Sequence, residues 1–430
     1  MRTEILPSAA HGTLKAPPSK SMTHRALICA ALARGESRLE NLAVSEDTAA
    51  TAGALQCLGA QTDIDESTGT GVVRGMDLSK PPVSDLIDCR ASGSTLRFLL
   101  PLCLLRNAPM TLTGSRRLLE RPLSVYDDVF RKDGISWERG PDRIRIEGKL
   151  SGGEYPVRGD VSSQFLTGLL LALPLLDTDS TLSVTGGILS APYVRMTCGM
   201  QRLFGVRTRH LSGDRFEIRG RQSYRPACCR IEGDWSNAAY LEVFAIAAAA
   251  GEEAGKIRKV PERSAPAAAR RGTHRLTVTG LNESSVQGDR IYRDYFGRLS
   301  DASPVLDLSD CPDLGPVLIA AAALRHGAVL TGTARLADKE SDRGRAMAEE
   351  LRKFGIKITV REDSILIPDA PLESPRAVLD GHNDHRIVMA LAALCSAVGG
   401  IIDGAEAVNK SFPGFFEEIG KAGIIVRKGK

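Results

Sequence analysis

The sequence predicts an α/β protein of two similar domains, each assembled from three repeats. Three observations carry that prediction. The chain has 430 residues, more than one ordinary hydrophobic core organises, so two domains are the natural division. A polar cluster, a small-residue apolar helix, a turn and a short strand follow one another six times. With Ser21, Ser94, Ser163, Ser236, Asp313 and Asp384 as markers, the pattern recurs at intervals of about 70 residues, the mark of internal repetition. The six helices are also apolar nearly all round, which places them inside a domain rather than on its surface.

Taken in order, SKSMTHRALICAALARG opens the series, and EDTAATAGALQCLGAQTDID adds an amphipathic helix, a glycine and a strand. SGSTLRFLLPLCLL is followed by the strand MTLTG. SSQFLTGLLLALPLL leads to TLSVTGG and then to the helix–Gly–strand segment MQRLFGVRTRH. WSNAAYLEVFAIAAAAG precedes LTVTG, and PDLGPVLIAAAALRHG precedes AVLTGT and AEELRKFGIKITV. NDHRIVMALAALCSAVGG and GIIDG close the series. The short strands are rich in Val, Ile and Thr and end on Gly, as strand and turn chemistry require.

Composition is that of a globular chain: 43% apolar, 25% charged and 5% aromatic, with a formal charge of +4. So small an imbalance argues against a dedicated nucleic-acid surface but permits a local basic cleft for an anion. The first twenty residues hold no apolar signal core and no stretch approaches about 18 uninterrupted apolar residues, so a cytoplasmic location without membrane contact is expected. Nine cysteines, with no C-x-x-C pair, point away from zinc and from a disulfide framework, and towards packing as small hydrophobes.

Helix starts offer unpaired N–H groups and a partial positive charge, and so attract anions. Six such starts facing one interdomain cleft would form a receptor for phosphates and carboxylates. The plainer reading is that Ser, Asn and Asp there simply cap their helices, and for Asp313 in SDCPDLGPVLIAAAA capping is the first expectation. Capping does not account for Lys20, Arg25, Arg97, His385 and Arg386, which put cations at the dipole's unfavourable end. Arg121, Lys339, Arg343 and Lys410 follow core strands, where loops reach a site. Together these cations suit anionic substrates, and Asp313 with Lys339 or Glu340 could exchange protons. Neither a Walker-type phosphate loop nor a strand-linked G-x-G-x-x-G occurs, so no nucleotide cofactor is indicated.

The motifs LKAPPSKSMTHRAL, SGSTLRFL, LLERPL, GDVSSQFLTGLLLALPLL, SAPYVRMT, ADKESDR, NDHRIVMA and NKSFPGFF, in this order, resemble those of the EPSP synthase family, the 3-phosphoshikimate 1-carboxyvinyltransferases. The resemblance runs over nearly the whole chain, from about residue 14 to 418. It implies two inside-out α/β barrels of three βαβαββ units each, a pseudo-sixfold repeat, with the active site in the interdomain cleft. It divides the chain into residues 1–18 plus 232–430 and an inserted domain, residues 19–231.

The implied reaction moves the enolpyruvyl group of phosphoenolpyruvate to the 5-hydroxyl of 3-phosphoshikimate, releasing phosphate, without metal or organic cofactor. By resemblance, the 3-phosphoshikimate ligands are Lys20, Ser21, Arg25, Ser162, Ser163, Gln164, Ser190 and Tyr193, with Asp313 and Lys339 at the reacting end. Lys20, Gly93, Arg121, Gln164, Arg343, Arg386 and Lys410 correspond to the residues around phosphoenolpyruvate. Asp313, Lys339, Glu340, His385 and Lys20 form the implied catalytic set. Partners beyond these small molecules are not expected, neither nucleic acid nor membrane, and the expected state is a monomer.

Two positions depart from the family's pattern. Ala91 stands where many members carry Asn or Glu, and Gly344 where a large apolar residue is expected, which would loosen the helix start at Arg343. Residues 251–272 read as a charged, exposed loop. A sister enzyme acting on UDP-N-acetylglucosamine is the nearest rival, but its loop cysteine is missing, since no Cys lies between Cys103 and Cys198. A binding protein that kept the fold without turnover would not need Asp313, Lys339 and Glu340 together.

Overall fold

The computed structural model describes residues 1–211, 214–257, 276–300 and 303–429. Two compact units emerge from its internal contacts. The terminal unit comprises Met1–Pro17, Gly233–Ser285 and Asp289–Lys430, and the inserted unit comprises Pro18–Glu232 with Val286–Gly288. Residues 258–275 lie outside the described part, and with them most of the expected charged loop; Gly251–Glu253 instead continue the helix Trp235–Glu253.

One sheet pattern recurs throughout. In the inserted unit, strand Leu86–Asp88 runs parallel to Met110–Thr113, which pairs antiparallel with Arg143–Glu147, itself antiparallel to Ser136–Arg139. Gly153–Arg158, Ser180–Thr185, Arg215–Ile218 and Thr208–Leu211 repeat that order. Cys228–Arg230, Glu36–Glu40, Thr70–Arg74 and Gln61–Asp65 repeat it again, the first strand arriving from far along the chain. The terminal unit has two such sheets, and among its described residues a third, shorter pair, Gly12–Lys15 with Leu276–Thr279. The parallel pair needs a crossover helix, which the core helices supply.

Helices lie inside and sheets outside. All fourteen residues of His385–Val398 are buried, as are all nine of Gly315–Ala323. Strands such as Arg143–Glu147 alternate buried and exposed side chains, one face on the helices and one to solvent. Small residues on the helices let them pack closely inside each unit, and each unit keeps its own hydrophobic core. Six of the nine cysteines are buried, and all nine are free thiols. Among the described residues no helix is long and apolar enough to cross a membrane.

Candidate active site

In the terminal unit three helix starts are drawn together around Asp313. This residue does not cap its helix: it lies in the 3-10 turn Pro312–Leu314, and the helix begins at Gly315 with Leu314 as N-cap and no side-chain cap bond. Its Oδ1 instead accepts from Lys339 Nζ at 3.1 Å and from Arg343 Nη1 at 3.0 Å, while Arg386 Nη2 reaches Oδ2 at 3.5 Å. Its carbonyl accepts from the Tyr240 hydroxyl at 3.0 Å, and the Arg386 guanidinium lies 5.1 Å over the Tyr240 ring.

Every nitrogen of Arg343 meets a carboxylate. Nε donates to Asp384 Oδ2 at 2.9 Å, Nη1 to Asp313, and Nη2 to Glu340 Oε2 at 2.8 Å. Asp384 in turn caps the helix His385–Val398 through the Arg386 amide and accepts from Ser341 Oγ at 3.0 Å. The cations at these helix starts are thus partly answered by the protein's own carboxylates. Arg386 keeps a surplus: its Nε and Nη1 are buried and find no hydrogen-bond partner among the described residues. Lys410 Nζ donates to both the carbonyl and Oδ1 of Asn383, at 2.5 and 2.8 Å. His385 is buried, its Nδ1 3.8 Å from Asp384 Oδ1.

Burial alone would raise the Asp313 carboxyl, but Lys339, Arg386 and Arg343 outweigh it and hold Asp313 well below the usual carboxylate range. Lys339 is lowered as well: burial lowers its ammonium more than Asp313 raises it, and Arg343 lowers it further. A carboxylate held firmly ionised and an ammonium readier to lose its proton therefore sit in hydrogen-bond contact. Close by, burial and the charge of Asp313 push Asp289 up to about 7, against the hydroxyl of Ser236 and the charge of Arg386.

The inserted unit gathers three helix starts of its own. Ser19, Ser92 and Ser162 cap the helices Lys20–Leu32, Gly93–Cys103 and Ser163–Ala172, so Ser21, Ser94 and Ser163 lie in the first turns. Lys20 Nζ pairs with Asp47 Oδ2 at 2.7 Å. Gln164 bridges two helices, accepting from Arg97 Nη1 at 2.6 Å and donating to Ser94 Oγ at 3.1 Å. Arg121 is buried, and its Nε finds no partner among the described residues. A Cβ on Gly93 would lie 2.5 Å from Arg121 Nη1, so only glycine allows this approach. Arg25 lies beneath this surface, donating to Thr197 Oγ1, Ser21 O and Tyr193 O, and burial brings it down to about 10. Ser190 precedes the helix Ala191–Leu203 in a left-handed conformation.

Several participants have no local sequence signature. His24 Nδ1 meets Thr51 Oγ1 at 2.7 Å, and a chain of hydroxyls continues through Thr95 to Ser92. Burial, then Lys20 and Arg25, keep His24 neutral. Tyr240 and Asp289 also face Asp313 without a local signature, and Ser236 donates to Asp289. The alternative of a helix cap was the nearest signal at Asp313, and it was the wrong one. The start at Arg343 is not loosened by Gly344: Asp342 caps it, and Ile365 Cδ1 and Val360 Cγ1 would lie 3.3 and 3.4 Å from any Cβ there.

Helix starts bearing buried cations, with a carboxylate–ammonium pair in their midst, define a group-transfer enzyme for small anions. Comparison with known proteins makes that class specific. Residues 6–419 match the family described as EPSP synthase (3-phosphoshikimate 1-carboxyvinyltransferase). A 3-phosphoshikimate 1-carboxyvinyltransferase from Clostridium kluyveri is 40% identical over 97% of this chain and 96% of its own. Another from Methanoculleus marisnigri is 37% identical over 95% and 96%. The EPSP synthase structure from Acinetobacter baumannii shares the fold with a TM-score of 0.76, at 23% identity over the whole of both chains. The chain belongs to the EPSP synthase family.

Proposed function

We propose that Asp313, Lys339 and Glu340 carry the proton transfers by which this chain moves the enolpyruvyl group of phosphoenolpyruvate to the 5-hydroxyl of 3-phosphoshikimate. The observation behind this is the Asp313 carboxylate, in contact with Lys339 and Arg343 and close to Arg386. Lys339 or Glu340 protonates the methylene carbon of phosphoenolpyruvate, leaving an oxocarbenium-like C2. The 5-hydroxyl attacks C2 while Asp313 takes its proton. The tetrahedral intermediate then loses a methyl proton and phosphate, restoring the enol double bond. Asp313 is a weak base while three cations face it, and anionic substrates that draw on those cations raise its basicity.

Arg386, Arg343, Lys410 and Arg121 hold phosphoenolpyruvate in this reading, with Lys20, Gly93 and Gln164 beside it; the buried guanidinium nitrogens of Arg386 and Arg121 that find no partner among the described residues support it. Ser21, Ser162, Ser163, Gln164, Ser190 and Tyr193 hold 3-phosphoshikimate, with Lys20 and Arg25. His385 orients Asp384. The enzyme acts as a cytoplasmic monomer on these small molecules, apart from nucleic acid and membrane, in keeping with 56 Lys and Arg against 52 Asp and Glu. The test is phosphate release from phosphoenolpyruvate with 3-phosphoshikimate or UDP-N-acetylglucosamine as acceptor. Release with the first alone is expected and should vanish in Asp313→Ala; release with the nucleotide sugar alone would overturn the assignment.

A further inference from the structure

Just ahead of the helix start that carries Asp384, His385 and Arg386, two successive residues adopt the left-handed conformation, His382 and Asn383, each at φ 49°. L residues rarely take up this region, and a pair of them persists only where surrounding contacts hold it. The contacts are complete on both sides. His382 Nε2 lies 3.1 Å from Glu350 Oε1, and the His382 amide donates to Asp380 Oδ1 at 2.7 Å. Glu350, whose side chain is 2% exposed, also accepts from the Asp380 amide at 2.9 Å. Lys353 Nζ donates to both Glu350 oxygens, at 2.9 and 2.8 Å. From the other side Lys410 Nζ grips Asn383.

We propose that His382, docked on Glu350, is a positioning residue of the active site: it holds the left-handed pair in place and thereby sets Lys410 and the Arg386 helix start for the anionic substrate. This rests on the reading that Lys410 and Arg386 hold phosphoenolpyruvate. Glu350 belongs to the helix Arg343–Lys353, whose first residue grips Asp313 and Asp384. One helix therefore supports both ends of the arrangement, Arg343 at the chemistry and Glu350 beneath the turn that leads to it.

The groups facing His382 are Glu350, Asp380 and Glu349, with Lys353 reaching it through Glu350. The bond to Glu350 raises the imidazole above its ordinary value, burial opposes this, and Asp380 and Glu349 add to the rise. Glu350 stays ionised, held low by His382, Lys353 and the Asp380 amide against its burial. The contact is thus a charge-assisted bond at low pH, and it weakens as pH climbs above about 6.5 and through the raised value.

The test compares kcat and KM for both substrates in wild type, His382→Gln, His382→Leu and Lys410→Ala across about pH 6 to 9, the range in which an imidazole titrates. His382→Leu is expected to raise KM for phosphoenolpyruvate about tenfold, with KM for 3-phosphoshikimate unchanged, as loss of a charge-assisted bond implies. His382→Gln, which still donates, should recover most of that loss. It should also abolish the part of the rise in KM with pH that only wild type shows, the substrate's own phosphate titrating equally in both. If Lys410→Ala raises KM while His382→Leu leaves it unchanged, the positioning role is wrong. If Lys410→Ala leaves KM unchanged, the assignment beneath the proposal fails and the proposal falls with it. Should His382→Leu not fold, a wild-type pH profile in His382→Gln overturns the proposal by itself.

Discussion

Arg343 and Asp384 meet in the interior of the terminal unit, Nε to Oδ2 at 2.9 Å and Nη2 to Oδ1 at 3.3 Å, with side-chain exposures of 1% and 0%. The pair joins two helix starts, and Asp384 serves both by capping one and neutralising the other. Replacing Asp384 by Asn keeps shape and cap but removes the charge. Because Asp313 and Glu340 still face Arg343, the expected loss is about 3 kcal/mol, the lower end for a broken buried pair. Urea unfolding of Asp384→Asn measures it, and a wild-type midpoint would contradict the account.

Asp313→Ala should lower kcat at least about 100-fold, the scale of a lost general base. The helix Gly315–Ala323 should survive, since Asp313 does not cap it. Turnover and circular dichroism on the same preparation separate the two effects. Turnover within a factor of a few of wild type would remove Asp313 from the mechanism.

Gly93→Ala tests the close approach to Arg121. The backbone at Gly93 is helical and tolerates Ala, so the substitution acts through the guanidinium it displaces. KM for phosphoenolpyruvate is expected to rise about tenfold, the value of one strong charge-assisted hydrogen bond. KM for 3-phosphoshikimate should move little.

Asp289 makes stability depend on pH. Its folded value, about 7, lies above the ordinary carboxyl value, so the folded state binds the extra proton. Stability from this group is full at acid pH and falls as pH rises through 7. Asp289→Asn keeps an acceptor for Ser236 without the charge, and at pH 8 it should be more stable than wild type by about 1 kcal/mol or more. Thermal unfolding at pH 5 and pH 8 checks this: the advantage must appear at the higher pH and shrink at the lower.

The repeat was legible because it is written locally. Each apolar helix carries its own polar start and its own following strand, so spacing alone reveals the order of elements. The segments SKSMTHRALICAALARG and SGSTLRFLLPLCLL begin on the serines that cap their helices, Ser19 and Ser92, although Ser21 and Ser94 are equally good caps by type and geometry decides between them. Charged motif residues stand out locally too: Arg386 is conspicuous where a helix dipole repels cations, and Lys339 and Arg343 lie just after a core strand. What stayed hidden are pairings across long stretches of chain: Tyr240 with Asp313, Ser236 with Asp289, Thr51 with Thr95. Nothing local marks them, because their chemistry exists only once the helices are packed.

The sheet holding Thr3–Leu6 has a consequence for the order in which the molecule can be made. That strand lies between Gly400–Asp403 and Ile425–Lys428, pairing with both. In the inserted unit the corresponding late arrival is Cys228–Arg230, which joins Glu36–Glu40. A ribosome delivering this chain from its beginning releases every strand of the inserted unit's three sheets soon after residue 230. The strand Thr3–Leu6, though among the first residues to emerge, must wait with both edges unpaired until the last sheet's other members appear. Exposed strand edges recruit foreign strands, so synthesis passes through an interval in which half the protein can be finished while the oldest segment is the one still at risk.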